Sequence, residues 1–137
     1  MNQPTRILQL TDLHLFSEEQ TKLIGFNPYQ SLGKIMALVS KSIAKTPPSL
    51  VALTGDVSQD YSLKSYETAA KIFGNFPCSI AATMGNHDHY STFTKIFGDP
   101  SQDSNKMFDL DNWRIIFLNS HWPDHVSGKL AQEELDF

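Results

Sequence analysis

One cysteine, Cys78, is all that this sequence of 137 residues contains. That excludes an internal disulfide framework and suits a reducing compartment, with Cys78 read as a small buried hydrophobe. No run approaches the roughly 20 apolar residues that a bilayer span needs. The opening Met1-Asn2-Gln3-Pro4 lacks the charged and apolar regions of a secretion signal, so the expected location is the cytoplasm, with no membrane partner. Positive charge is also short: 11 Lys and Arg stand against 15 Asp and Glu, a net charge of -4. Such a balance provides no basic field for gripping a nucleic-acid backbone, which argues against that partner. A small phosphate substrate stays open, because bound divalent cations reverse the local sign at a site. Repeats, low-complexity tracts and linker-like runs are missing too, and the length suits one modest domain.

What is present is an alternation of apolar runs and helical patterns. Arg6-Ile7-Leu8-Gln9-Leu10 reads as a buried strand ending at Thr11-Asp12. Asn27-Pro28 starts a helix, with Asn as cap and Pro at the first position. Leu32, Met36, Val39 and Ile43 continue it at helical spacing until Pro47-Pro48. Leu50 to Thr54 is a second apolar run, closed by Gly55-Asp56. Ser62 to Phe73 is a second helix whose Tyr66, Ala69, Ala70 and Phe73 share a face, with Gly74 as its C-terminal cap. Ser79 to Met84 is a third strand, closed by Gly85-Asn86-His87-Asp88. A short helix is expected around Phe93 to Phe97. Two more strands, Lys106 to Leu110 and Trp113 to Asn119, are joined by the turn Asp111-Asn112. A last helical pattern runs from Leu130 through Leu135 to Phe137. The alternation predicts an α/β fold with three parallel strands, and ligands in such sheets gather at the strands' carboxyl ends.

All three polar clusters sit there. Asp12-Leu13-His14 is read as a strand edge, where residues at i and i+2 point the same way and can chelate one divalent metal. At Gly55-Asp56, glycine allows close backbone approach, and one carboxylate offers two oxygens to two cations. In Gly85-Asn86-His87-Asp88 the Asn carbonyl can meet a metal while the adjacent His points elsewhere and gives a proton. Each cluster alone also fits an ordinary turn. Their conjunction, each one closing a predicted parallel strand, points to a site.

These residues resemble the calcineurin-like metallophosphoesterase family, whose first half carries D-x-H, then G-D, then G-N-H-D or G-N-H-E. Within it, the runs Ile7 to Phe16 and Thr54 to Asp60, with Ser65-Tyr66 and Leu118-Asn119-Ser120, are similar to the class III cyclic-AMP phosphodiesterases of bacteria. The resemblance implies an αββα sandwich and a hydrolase that opens 3′,5′-cyclic AMP to AMP through attack by a hydroxide activated by two metals. It implies that Asp12 and His14 hold the first metal, Asp56 bridges, Asn86 holds the second, and His87 protonates the leaving oxygen. Mn²⁺ or Fe suits the oxygen-rich donors better than Zn²⁺, which remains an option. Asp88 or Asp60 is expected to orient the His87 ring, and His89 to face the substrate. A generic phosphodiesterase, nuclease or phosphatase activity, or a catalytically defective fragment, is the alternative.

The family's later histidines, one followed by H-x-x-P and two in a G-H-x-H turn, have no counterpart. His121 is weighed as a replacement ligand against a plain loop position, and His125 reads as surface. The chain is therefore taken as a single incomplete domain over 1–137, about one sheet with its flanking helices, its C-terminal half absent. The uncovered face of that sheet predicts self-association.

Overall fold

The computed structural model describes residues 4–136. Three short strands, β1 (Ile7–Leu10), β2 (Leu50–Thr54) and β3 (Ser79–Thr83), form a sheet in that order. Both pairings are parallel, with Leu10 opposite Leu53 and Leu53 opposite Ala82. Helices α1 (Pro28–Ile43) and α2 (Leu63–Phe73) supply the two crossovers, and α3 (Tyr90–Phe97) follows β3. The expected α/β architecture of a parallel sheet with flanking helices is what the chain adopts.

Local chemistry sets the helix starts. The Asn27 side chain accepts a hydrogen bond from the Gln30 N–H, and Pro28 occupies the first position. Ser62 caps α2 the same way through the Ser65 N–H. Each cap satisfies a donor that the first helical turn leaves without a partner. At the end of α2, Gly74 is the cap residue but stays right-handed (φ -61), its N–H bonded to the Ala70 carbonyl. The short third helix begins earlier than the pattern implied, at Tyr90 rather than near Phe93.

Leu50, Val51, Ala52 and Leu53 of β2 are all buried, so both faces of the central strand are covered and the uncovered sheet face expected from the sequence is not found there. Around them Tyr66, Phe73 and Phe93 are wholly enclosed and join Leu10, Leu15, Leu32, Val57 and Met84 in one core. The edge strand β1 is less protected, with Ile7 and Gln9 exposed. Beside it an apolar groove of about 540 Å³ is lined by Leu10, Leu23, Phe26 and Leu32 among others.

After α3 come a short helix α4 (Asp103–Lys106) and an antiparallel hairpin of β4 (Met107–Leu110) and β5 (Trp113–Ile116). The turn at Asp111-Asn112 is there, with Asp111 at φ 52. β5 stops three residues short of Asn119: the Phe117 N–H still bonds to the Lys106 carbonyl in the hairpin register, but Lys106 already belongs to α4, and the Asn119 N–H turns to Glu134. The last helix, α5 (Gln132–Leu135), is a single turn. Phe137, which the helical pattern included, lies outside the described residues. No described helix is long and apolar enough to cross a membrane.

Candidate metal centre

The loops after β1 and β2 keep pairing past the strand ends. The Asp12 N–H bonds to the Gly55 carbonyl (3.1 Å), His14 to Asp56 (2.9 Å) and Leu15 to Val57 (3.0 Å). This irregular ladder seats the side chains. Asp12, His14 and Asp56 all have positive φ, at 55°, 47° and 51°. Left-handed backbone is uncommon for residues with a Cβ and marks positions the surroundings hold in place, often at functional sites. Asp12 and His14 therefore converge through two backbone reversals, not through the alternation of a straight strand edge.

Glycine allows the next approach. A Cβ on Gly85 would stand 2.1 Å from Asp56 Oδ1 and 2.6 Å from the Asp56 nitrogen. A Cβ on Gly55, at φ +92, would press the Gly85 Cα at 3.1 Å. The two turns thus lie back to back, at a spacing that side chains at these positions would forbid.

Asp12, His14 and Asp56 each offer a ligand atom, all within 4.8 Å of one another. His14 Nε2 is 3.7 Å from Asp12 Oδ1 and 3.9 Å from Asp56 Oδ2. Those gaps are too long for direct hydrogen bonds. They suit donors around one cation, since two atoms each about 2.1 Å from an ion lie at most about 4.2 Å apart. His14 Nδ1 is buried with no hydrogen-bond partner among the described residues, and Nε2 is the nitrogen that faces the two carboxylates. Two carboxylates and an imidazole at this spacing fit a divalent cation, whose charge would offset the repulsion between the acids.

Asn86 and Asp56 line one cavity of about 290 Å³ together with Asp12. The Asn86 carboxamide makes no hydrogen bond among the described residues, which leaves its oxygen uncommitted. The His87 N–H donates to Asp56 Oδ1 at 2.8 Å, and the His87 ring meets His14 edge-on, centroids 5.2 Å apart.

The two acids weighed as partners for the His87 ring are engaged elsewhere. Asp88 is buried and accepts from the N–H groups of Val57 (3.1 Å), Ser58 (3.1 Å) and Gly85 (2.9 Å), and from the Tyr66 hydroxyl (3.1 Å). Burial pushes its carboxyl above the usual range, against the downward pull of those hydrogen bonds. Burial is also the first cause that raises the Tyr66 hydroxyl, followed by the charge of Asp88. Asp60 accepts from the Ser17 N–H (2.7 Å) and from Ser62 Oγ (2.6 Å). The polar contact the His87 ring does make is with Gln59, whose Nε2 lies 3.3 Å from His87 Nδ1. With the amide donating, Nδ1 accepts and the ring proton rests on Nε2. A Gln directly before Asp60 was on view in the sequence, but nothing in the spacing aimed it at His87.

His89 stands apart at the start of α3. It is exposed, its ring near Tyr61 and its Nδ1 shared between Thr92 and Ser91. His121 is brought in, lining the cavity with Asp12, Asp56 and Asn86. His125 stacks flat on Trp122, rings 3.5 Å apart.

Known proteins resemble this chain along nearly its whole length. A 3′,5′-cyclic adenosine monophosphate phosphodiesterase, CpdA, of Pseudomonas aeruginosa is 32% identical over 95% of this chain and 47% of its own length. A probable cyclic nucleotide phosphodiesterase of Synechococcus is 33% identical over 96% of this chain and 50% of its own. A 3′,5′-cyclic-nucleotide phosphodiesterase of Nostoc is 32% identical over 98% of this chain and 50% of its own. The chain thus spans about half the length of the curated relatives it matches. The family model described as calcineurin-like phosphoesterase matches residues 5–132, and the chain belongs to that family.

Proposed function

We propose that this chain carries the metal-binding part of a hydrolase that opens a 3′,5′-cyclic nucleotide, cyclic AMP first, to the nucleoside monophosphate. The observation that carries the reading is the spacing of Asp12, His14 and Asp56, whose donor atoms lie within 4.8 Å of one another. Asp12 and His14 would hold one cation, Asp56 would reach two, and Asn86 would serve the second. Mn²⁺ or Fe suits this oxygen-rich set, with Zn²⁺ the competitor. When bound, such ions supply positive charge to the phosphoryl oxygens and acidify the attacking water.

The chain's own residues do the rest. Asp56 fixes the His87 backbone at 2.8 Å, and Gln59 orients its ring. The Nε2–H of His87 is the proton the departing ester oxygen takes as the P–O bond breaks and water adds across it. The substrate assignment leans on the relatives named as cyclic nucleotide phosphodiesterases. A cytoplasmic setting accords with a free Cys78. Self-association would draw on the apolar groove beside β1.

The test assays the whole protein with Mn²⁺ against cyclic AMP, bis-p-nitrophenyl phosphate and a phosphate monoester. Cyclic AMP turnover abolished by a chelator is expected. Turnover of the generic ester without cyclic AMP keeps the hydrolase and removes the substrate. His87→Ala should keep the metal content and lose roughly 10²–10⁴-fold in turnover. Loss of metal in that variant would make His87 a ligand instead.

A further inference from the structure

The cavity holds one nitrogen that the reading above leaves unused. His121 Nδ1 is 2.9 Å from the Gly85 carbonyl oxygen. A carbonyl only accepts, so Nδ1 carries the ring proton and Nε2 keeps its lone pair. No hydrogen bond engages Nε2 among the described residues. The ring lines the same cavity as Asp12, Asp56 and Asn86. An imidazole pinned to a backbone carbonyl through one N–H, with its other nitrogen bare, is in the state that metal ligands adopt.

The neighbouring donors divide to match. Asp56 Oδ2 faces His14, while Asp56 Oδ1 takes the His87 N–H at 2.8 Å and so lies on the Gly85 to His87 turn. A carboxylate oxygen has a second lone pair to give. Asn86 sits in that same turn with its carboxamide uncommitted, and the Gly85 carbonyl that holds His121 is the residue before it. Asp56, Asn86 and His121 thus line one cavity, and His14 is not among its lining residues. The backbone of His121 is fixed independently, its N–H bonded to Asn119 Oδ1 at 3.1 Å.

We propose that His121 supplies the nitrogen donor of a second divalent-cation position shared with Asp56 and Asn86. The proposal rests on the metal-dependent reading of Asp12, His14 and Asp56, and it gives the second ion a ligand from this chain's own later segment.

The test is metal uptake by the full 137-residue chain, with free Mn²⁺ followed by electron paramagnetic resonance. His121→Gln is the informative variant, since its amide can still donate to the Gly85 carbonyl but offers no imidazole. The wild-type chain should take up two ions, and His121→Gln should keep one while the other weakens by roughly tenfold or more. Pulsed measurements on the loaded wild-type chain should resolve two imidazole nitrogen couplings, a readout that needs no variant to fold. Two ions at unchanged affinity in His121→Gln, or a single imidazole coupling in the wild type, would overturn the role of His121 and leave the first position standing. No uptake at all by the wild-type chain would remove the first position, and this one with it.

Discussion

From β1 to α3 the molecule is held by enclosed contacts, and from α4 onward it is held by a few polar ones. In the first region Tyr66, Phe73 and Phe93 are wholly buried, and Asp88 gathers donors from the ends of β2 and β3 and from α2 at one point. In the second, Trp113 is 65% exposed and Val126 86%, and the terminal turn α5 is tied back by the Glu134 carboxylate. That carboxylate meets Lys106 Nζ at 2.7 Å and the Asn119 N–H at 3.0 Å. Asp12, His14, Asp56, Asn86 and His87 all belong to the enclosed region, whereas His121 belongs to the other. The contrast teaches that most of the candidate site is positioned by the core, while the later segment brings His121 beside it through a handful of bonds that can open without unfolding the rest.

The sharpest way to break the contrast is to empty its central acceptor. Asp88→Ala leaves the N–H groups of Val57, Ser58 and Gly85 and the Tyr66 hydroxyl without their partner. Each orphaned buried donor costs about 1–3 kcal/mol, so the loss of unfolding free energy should exceed about 3 kcal/mol. Urea denaturation measures it. A change below about 1 kcal/mol would mean the turns are positioned by something other than Asp88.

Lys106→Met strikes the other region. Breaking a buried ion pair by removing one partner costs about 3–5 kcal/mol when the remaining charge stays buried. Here the segment bearing Glu134 can instead swing into water, so the global loss should stay near 1 kcal/mol or below. Hydrogen exchange should show lost protection at the Asn119 amide and unchanged protection in β2. Equal loss in both regions would merge what the comparison separates.

The same division explains what the sequence made legible. β2 announces itself, because Leu50 to Thr54 is an unbroken apolar run between Pro47-Pro48 and Gly55. α2 is as plain, with Ser62 to cap it and Tyr66, Ala69 and Phe73 on one face. These are local signals set by burial and period. The backbone reversals at Asp12, His14 and Asp56 leave no such trace, since a left-handed φ at a residue with a Cβ is imposed by neighbours far along the chain. Asp88 could be seen in its motif, but not its bond to the Val57 N–H across 31 residues. Nor could the contact of His121 with Gly85 be read, which spans 36 residues and follows no period.

The smallest expected effect tests whether the first region's polar clasp is electrostatic, and Asp60 is the place to read it. Desolvation pushes its carboxyl up, but hydrogen bonds from Ser17 and Ser62 outweigh this and hold it at about 2, below the usual 3.8. A depressed carboxylate lends stability that is fully present above its unfolded value and is lost as pH falls through the folded one. The window is therefore pH 3.8 down to about 2. Asp60→Asn keeps an acceptor for the Ser17 N–H yet removes the charge. At neutral pH it should cost about 0.5 kcal/mol or less, because water screens a carboxylate that is only partly buried. Stability measured from pH 6 to pH 2 should fall less steeply in the variant than in the wild type. Parallel curves would show that the link from Ser17 to the start of α2 holds by hydrogen bonding alone, with the charge on Asp60 idle.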